Sequence, residues 1–215
     1  MRNEASSNVS QMSFNYGQYG QQRGFLSSPT NLLIVLNIIV FIVMLLSGDI
    51  GDCNSLVCQL MAQTSQAVYQ GAYWQLFTSM FVHFGFTHII FNMFGLYYLG
   101  RINETRFGTA SYLTIYLASG LLGNVMSLFL LPPATLSGGA SGAIFGLVGS
   151  YVAIARQVRQ MGAALLYAAF VFIMSSGLGV NIYAHFFGLI SGLVLGLLYS
   201  RQRSGGYSTG YNFTV

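Results

Sequence analysis

Lysine is absent from this chain, and only four residues are acidic: Glu4, Asp49, Asp52 and Glu104. Charged residues make up 6% of the 215, against about 25% in a soluble globular domain. A surface so poor in charge cannot be solvated over most of its area, so most of it is expected to face lipid. The eight basic residues are all arginine and lie scattered in pairs, which excludes the basic patch of a nucleic-acid binder. No aspartate falls inside an apolar stretch, so the chemistry of a membrane aspartyl protease has no residues to run on. No His-Glu-x-x-His pattern occurs either, and no metal site or cofactor is expected. Nor does the length leave room for a second globular domain of ordinary size.

What remains is strongly apolar, with a mean hydropathy of +0.61. Six apolar segments can be drawn, at 31–47, 84–100, 111–131, 140–156, 162–177 and 182–200. The third is stopped by Pro132-Pro133. Crossing the ~30 Å hydrocarbon core takes about 20 helical residues. The second, fourth and fifth segments are therefore marginal as lipid-facing spans and fit better inside a bundle. Arg2 and Arg23 precede the first segment. Arg101 and Arg106 follow the second, Arg156 and Arg159 the fourth, and Arg201 and Arg203 the sixth. The other connections carry no basic residue. Under the positive-inside rule this puts both termini in the cytoplasm and makes the chain a multi-pass protein, expected in the plasma membrane. Residues 1–29, rich in Ser, Asn, Gln, Gly and Tyr, read as a disordered cytoplasmic tail, residues 30–200 as the membrane domain and residues 201–215 as a second cytoplasmic tail.

The connection from Gly48 to His83 holds Tyr73-Trp74-Gln75-Leu76-Phe77, too apolar for a solvated loop. It reads as an amphipathic, partly embedded structure at the extracytoplasmic interface, where Trp and Tyr are favoured. Cys53 and Cys58 share that connection. They form a disulfide or remain two free thiols; zinc is disfavoured because no second close pair of ligands accompanies them.

Polar residues inside apolar stretches carry the chemistry. Ser141 lies in Ser137-Gly-Gly-Ala-Ser141-Gly142, at the head of an apolar run. Gly138 and Gly139 permit a sharp turn before it. A helix starting there would offer free N–H groups and a positive dipole end to a developing oxyanion. The same small residues would also serve as packing between helices. His185, Gly188, Gly192 and Gly196 share one helix face, and the helix beginning at Ser141 is the natural partner for that face. The histidine could instead be bonded to a backbone carbonyl in the core. His88 and Asn92, four apart on one face, would hold an oxyanion between them or act as polar glue between helices. His83, five before His88, reads as loop or interface support.

The set His83…His88-x3-Asn92, Gly139-x-Ser141-Gly142 and Ala184-His185-x-x-Gly188-x3-Gly192 resembles the rhomboid family of intramembrane serine proteases. The resemblance runs from about residue 31 to 200 and places the motifs in the family's helices two, four and six. It implies an all-α, polytopic bundle of six transmembrane helices, with Ser141 as nucleophile and His185 as general base. It implies an oxyanion hole from His88, Asn92 and the backbone N–H of Ser141. Phe145 matches an aromatic that packs on the catalytic histidine, Glu104 matches a structural acid after helix two, and residues 73–81 correspond to the embedded first loop. Gly139, Gly142 and Gly188 belong to the supporting motif. In one place the chain departs from the family: the first loop, which typically carries Trp-Arg, here reads Trp74-Gln75. The expected partners are the lipid bilayer and single-span membrane proteins, cleaved near the extracytoplasmic face, and not nucleic acid. The alternative is a catalytically silent relative that binds transmembrane segments. A solute transporter would need a polar pathway or an internal repeat, and the sequence has neither.

Overall fold

Ser28 and Pro29 begin the first long helix. Proline fixes φ where its missing N–H costs nothing, and the Ser28 hydroxyl accepts from the backbone N–H of Asn31. The structure, a computed structural model, describes residues 25–49, 51–157, 162 and 181–205. In chain order these contain α1 (Pro29–Leu46), three short helices α2 (Leu56–Met61), α3 (Ser65–Tyr69) and α4 (Gln75–Thr78), and a 3-10 turn at Ser79–Phe81. The long helices α5 (Phe86–Phe107), α6 (Thr109–Leu130), α7 (Ser141–Gln157) and α8 (Ile182–Gly205) follow. Among the described residues no strand forms, and the one isolated bridge pairs Gln63 with Ser137. The terminal tails and the fifth apolar segment, 162–177, lie outside the described residues apart from Gly162 and the ends that run into α1 and α8.

Contacts between helices give their directions. Glu104, near the end of α5, accepts from the Ser28 hydroxyl (2.7 Å) and the Thr30 N–H (3.3 Å) at the start of α1. At the other end Phe41 of α1 meets Phe86 of α5 edge-on. The two helices are therefore antiparallel, and the Glu104 carboxylate sits at the positive end of α1. Tyr112, early in α6, faces Thr30, while Gly123, late in α6, lies against Ala184 at the start of α8. Asn103 of α5 donates to Leu147 of α7 (3.2 Å), and Gly142 and Ser150 of α7 meet Ala184 and Gly196 of α8. So α5, α7 and α8 run one way, and α1 and α6 the other. Arg101, Arg106, Arg156 and Arg201 all fall at the end of the bundle where α5, α7 and α8 finish.

Among the described residues three helices are long and apolar enough to cross a membrane, Pro29–Leu46, Thr109–Leu130 and Ile182–Arg201. A fourth span results if the bent pair Gln75–Phe81 and Phe86–Phe107, 93° apart, counts as one. The second segment is not the short one its composition suggests. It runs 22 residues, past 100 to Phe107, because Asn103 and Glu104 turn inward to bond Leu99, Leu147 and the α1 cap rather than leaving the bundle. The sixth likewise continues beyond 200, to Gly205. By contrast α7 has 17 residues, and 142–150 are all buried. Its neighbours α5, α6 and α8 wrap it. A helix that does not face lipid need not match the bilayer thickness.

In lipid the hydrophobic effect does not drive helices together, so close packing must do so. Small residues supply it between α7 and α8. A Cβ added at Gly188 would strike the carbonyl of Gly142, and one at Gly192 that of Gly146. On the outside, Leu32, Ile39, Ile90, Phe94, Phe129 and Val194 are exposed, a surface that suits acyl chains.

Candidate active site

The stretch that leads into α7 is held from several sides. Gln63 and Ser137 exchange both backbone hydrogen bonds, at 2.9 and 2.8 Å, and the Gly139 N–H donates to the Ser79 carbonyl at 2.8 Å. Asn124 of α6 reinforces the clamp. Its Nδ2 donates to the Leu76 carbonyl and the Ser79 hydroxyl, and its carbonyl accepts from Gln63 Nε2. Gly139 has φ +127°, a conformation that side chains rarely adopt, so glycine is required there. The chain then turns into α7 at Ser141.

His185 reaches the same place from α8. The glycine contacts let the two helix axes approach closely, and His185 Nε2 lies 2.8 Å from Ser141 Oγ. The hydroxyl and the ring nitrogen are hydrogen-bonded, and with Nε2 unprotonated the hydroxyl is the donor; His185 is only 3% exposed. Phe145, one turn along α7, stacks on the imidazole with centroids 4.3 Å apart and planes 20° apart. The ring is therefore held flat against α7, and among the described residues no carboxylate bonds to it.

His88 stands across from this pair. The Phe84 N–H donates to His88 Nδ1 at 3.3 Å, which assigns the ring proton to Nε2. That nitrogen points into the space beside Gly139: a Cβ built there would lie 2.8 Å from His88 Nε2 and 3.7 Å from Ser141 Oγ. A donor thus faces the Ser141 hydroxyl across a gap that glycine keeps open. Asn92, one turn along α5, spends one amide hydrogen on the His88 carbonyl at 2.9 Å and has a second to offer. His83 is in the loop before α5, not on the helix. Its Nδ1 donates to the Phe81 carbonyl at 3.2 Å, and its ring meets His88 edge-on at 5.0 Å. Packed there, it limits how far the His88 ring can swing.

Gln75 closes the question raised by the Trp-Gln sequence. Its side chain is buried, accepts from the Thr64 N–H at 3.2 Å and donates to the Gln59 carbonyl at 3.0 Å. Trp74 Nε1 donates to the Leu60 carbonyl at 2.8 Å. A neutral amide therefore ties three turns of this connection together, while Tyr69, Tyr73, Trp74 and Phe77 remain exposed. Cys53 and Cys58 form a disulfide, buried with Met44, Ala62 and Val82. Nearby, burial pushes the Asp49 carboxyl up, but hydrogen bonds from the Ser55 hydroxyl and N–H and from Asn54 outweigh it and leave the group below the usual carboxylate range.

These features define a helical integral membrane protein with a half-buried serine hydrogen-bonded to a buried histidine at one end of its bundle. The chain belongs to the rhomboid family: the family's Rhomboid domain matches residues 70–202. It is 30% identical over 185 residues to rhomboid protease GluP of Bacillus subtilis, a match that covers 83% of this chain and 36% of that protein. It is 28% identical over 217 residues to the mitochondrial RHOMBOID-like protein 6 of Arabidopsis thaliana, covering 83% of this chain and 70% of the relative. Rhomboid-like protease 3 of Toxoplasma gondii is 28% identical over 140 residues, covering 60% of this chain and 52% of the relative. The chain thus spans about a third of the length of GluP, at 36%.

Proposed function

We propose that this protein is an intramembrane serine endopeptidase that cleaves transmembrane segments of single-span membrane proteins near the extracytoplasmic face. The observation that carries the reading is the 2.8 Å separation of Ser141 Oγ and His185 Nε2, held by the close-packed helices α7 and α8. Ser141 Oγ attacks the scissile carbonyl carbon while His185 Nε2 takes its proton. The carbonyl oxygen becomes an oxyanion, met by the His88 Nε2–H, the Asn92 amide and the Ser141 N–H. Collapse expels the amine, which receives the proton from His185. Water then repeats the sequence on the acyl-enzyme and frees Ser141.

The wider architecture in this reading has six spans, with residues 30–200 as the catalytic domain between cytoplasmic tails at 1–29 and 201–215. Two observations support it. One is that α7 and α8 run the same way, α7 ending at one end of the bundle and α8 beginning at the other, as a six-span reading requires. The other is that the arginines at 101, 106, 156 and 201 lie at the end away from Ser141, which under the positive-inside rule supports an extracytoplasmic position for Ser141's end in a plasma-membrane protein. Impermeant thiol labelling of intact cells checks this. Cys53 and Cys58 should resist modification until an impermeant phosphine opens their bridge, then label from outside. Labelling that requires the cytoplasmic face to be exposed would reverse the topology.

A substrate helix hides its carbonyls in hydrogen bonds and must unwind before attack. Cleavage is therefore expected near the outer end of a transmembrane segment, after a small residue and close to Gly or Pro. Mass spectrometry of products from a panel of single-span proteins tests this. Cuts at the cytoplasmic end, or indifference to nearby Gly and Pro, would refute it. A silent binder of transmembrane segments would retain the panel without cutting it.

A further inference from the structure

Asn181 stands at the start of α8, and its side chain makes three hydrogen bonds on three elements. Oδ1 accepts the Ala184 N–H at 3.0 Å, in the turn that carries His185. Nδ2 donates to Ser127 Oγ of α6 at 2.7 Å and to Ser137 Oγ at 2.8 Å. Ser137 is four residues before Ser141 and is itself bridged to Gln63. One carboxamide thus joins the helix bearing the histidine to the segment delivering the serine.

A helix cap alone would not demand asparagine. Capping needs only an acceptor, which Ser, Thr or Asp supplies as well. The two donated bonds need the amide nitrogen. Ser127 commits its own proton to the Gly123 carbonyl at 2.7 Å, so toward Asn181 it offers lone pairs. A carboxylate at this position would meet them oxygen to oxygen. The residue's chemistry is therefore matched to cross-linking, with capping included.

We propose that Asn181 is a positioning residue that sets the register between Ser141 and His185. The inference rests on the proposed dyad. Displacing either partner by about an ångström can cost about 10²-fold in rate, because attack requires aligned, near-contact atoms. The test uses the purified full-length chain in detergent, a fluorophosphonate serine-hydrolase probe, and cleavage of a single-span substrate, all well below the unfolding midpoint. Asn181→Asp keeps the cap and loses both donors, and Asn181→Ser keeps it while replacing the two amide hydrogens with a single hydroxyl on a shorter side chain that cannot serve both serines. Both should label about 10²-fold more slowly, with kcat falling and KM held. Ser137→Ala should slow labelling as well and add little on top of Asn181→Ser, since both break one link. Wild-type labelling rates in the Asp and Ser variants, or full additivity with Ser137→Ala, would overturn the inference and leave the dyad standing. A wild-type protein that labels no faster than Ser141→Ala would overturn the dyad, and this inference with it.

Discussion

Ser141→Ala and His185→Ala should each abolish cleavage of a single-span substrate, and both variants should remain folded. The expected loss is large because the two atoms form one unit. Without Nε2 the serine proton has no acceptor 2.8 Å away, and without Oγ the histidine has nothing to activate. In a soluble serine protease, removing either partner alone costs about 10⁶-fold in kcat. Folding should survive. The serine variant loses one hydroxyl, and the histidine variant leaves the glycine contacts between α7 and α8 intact. Purified variants, checked by gel filtration and circular dichroism, decide the matter with a fluorogenic transmembrane substrate. Full proteolysis by either would remove the residue from the mechanism. Zinc chelators should leave the wild type unchanged.

His88→Ala and Asn92→Ala form the second large expectation. Each removes one donor from the developing oxyanion, a loss of about 2.7–4 kcal/mol in soluble precedents. Cleavage should fall about 10²-fold or more, and KM should change little, because the charge exists only in the transition state. The effect is greater for His88 if the tautomer fixed by the Phe84 N–H is the working one. His88→Gln, which retains an N–H, should then recover part of the rate. Wild-type cleavage by both alanine variants would reduce these residues to packing.

The glycines at 188, 192 and 196 were legible because their spacing is that of a helix face, and close approach in lipid has no other strong source. Serine and histidine were legible as candidates because polar groups in apolar runs cost free energy unless paired. Where the sequence misled, a local cue was overridden by a distant partner. Arg101 and Glu104 look like a helix leaving the membrane. The fold instead continues α5 to Phe107, because Glu104 caps α1, a helix that begins 75 residues earlier. Gln75 looked like a weakened Arg, yet its partners at Gln59 and Thr64 ask only for a donor and an acceptor. The backbone bridge between Gln63 and Ser137 and the side-chain bonds of Asn124 leave no periodic trace, since they join segments across long separations. Asn181 left one signal, an N-cap residue just ahead of an apolar run, and that signal speaks of capping, not of its other two bonds.

The burial of α7 also divides mechanical duties within the membrane. When bilayer thickness changes, the load falls on helices whose flanks meet acyl chains, such as α1 with its exposed Leu32, Leu36, Ile39 and Ile42. Those helices accommodate mismatch by tilting. The helix that begins at Ser141 feels the bilayer only through its neighbours, as an axle feels the road through its suspension.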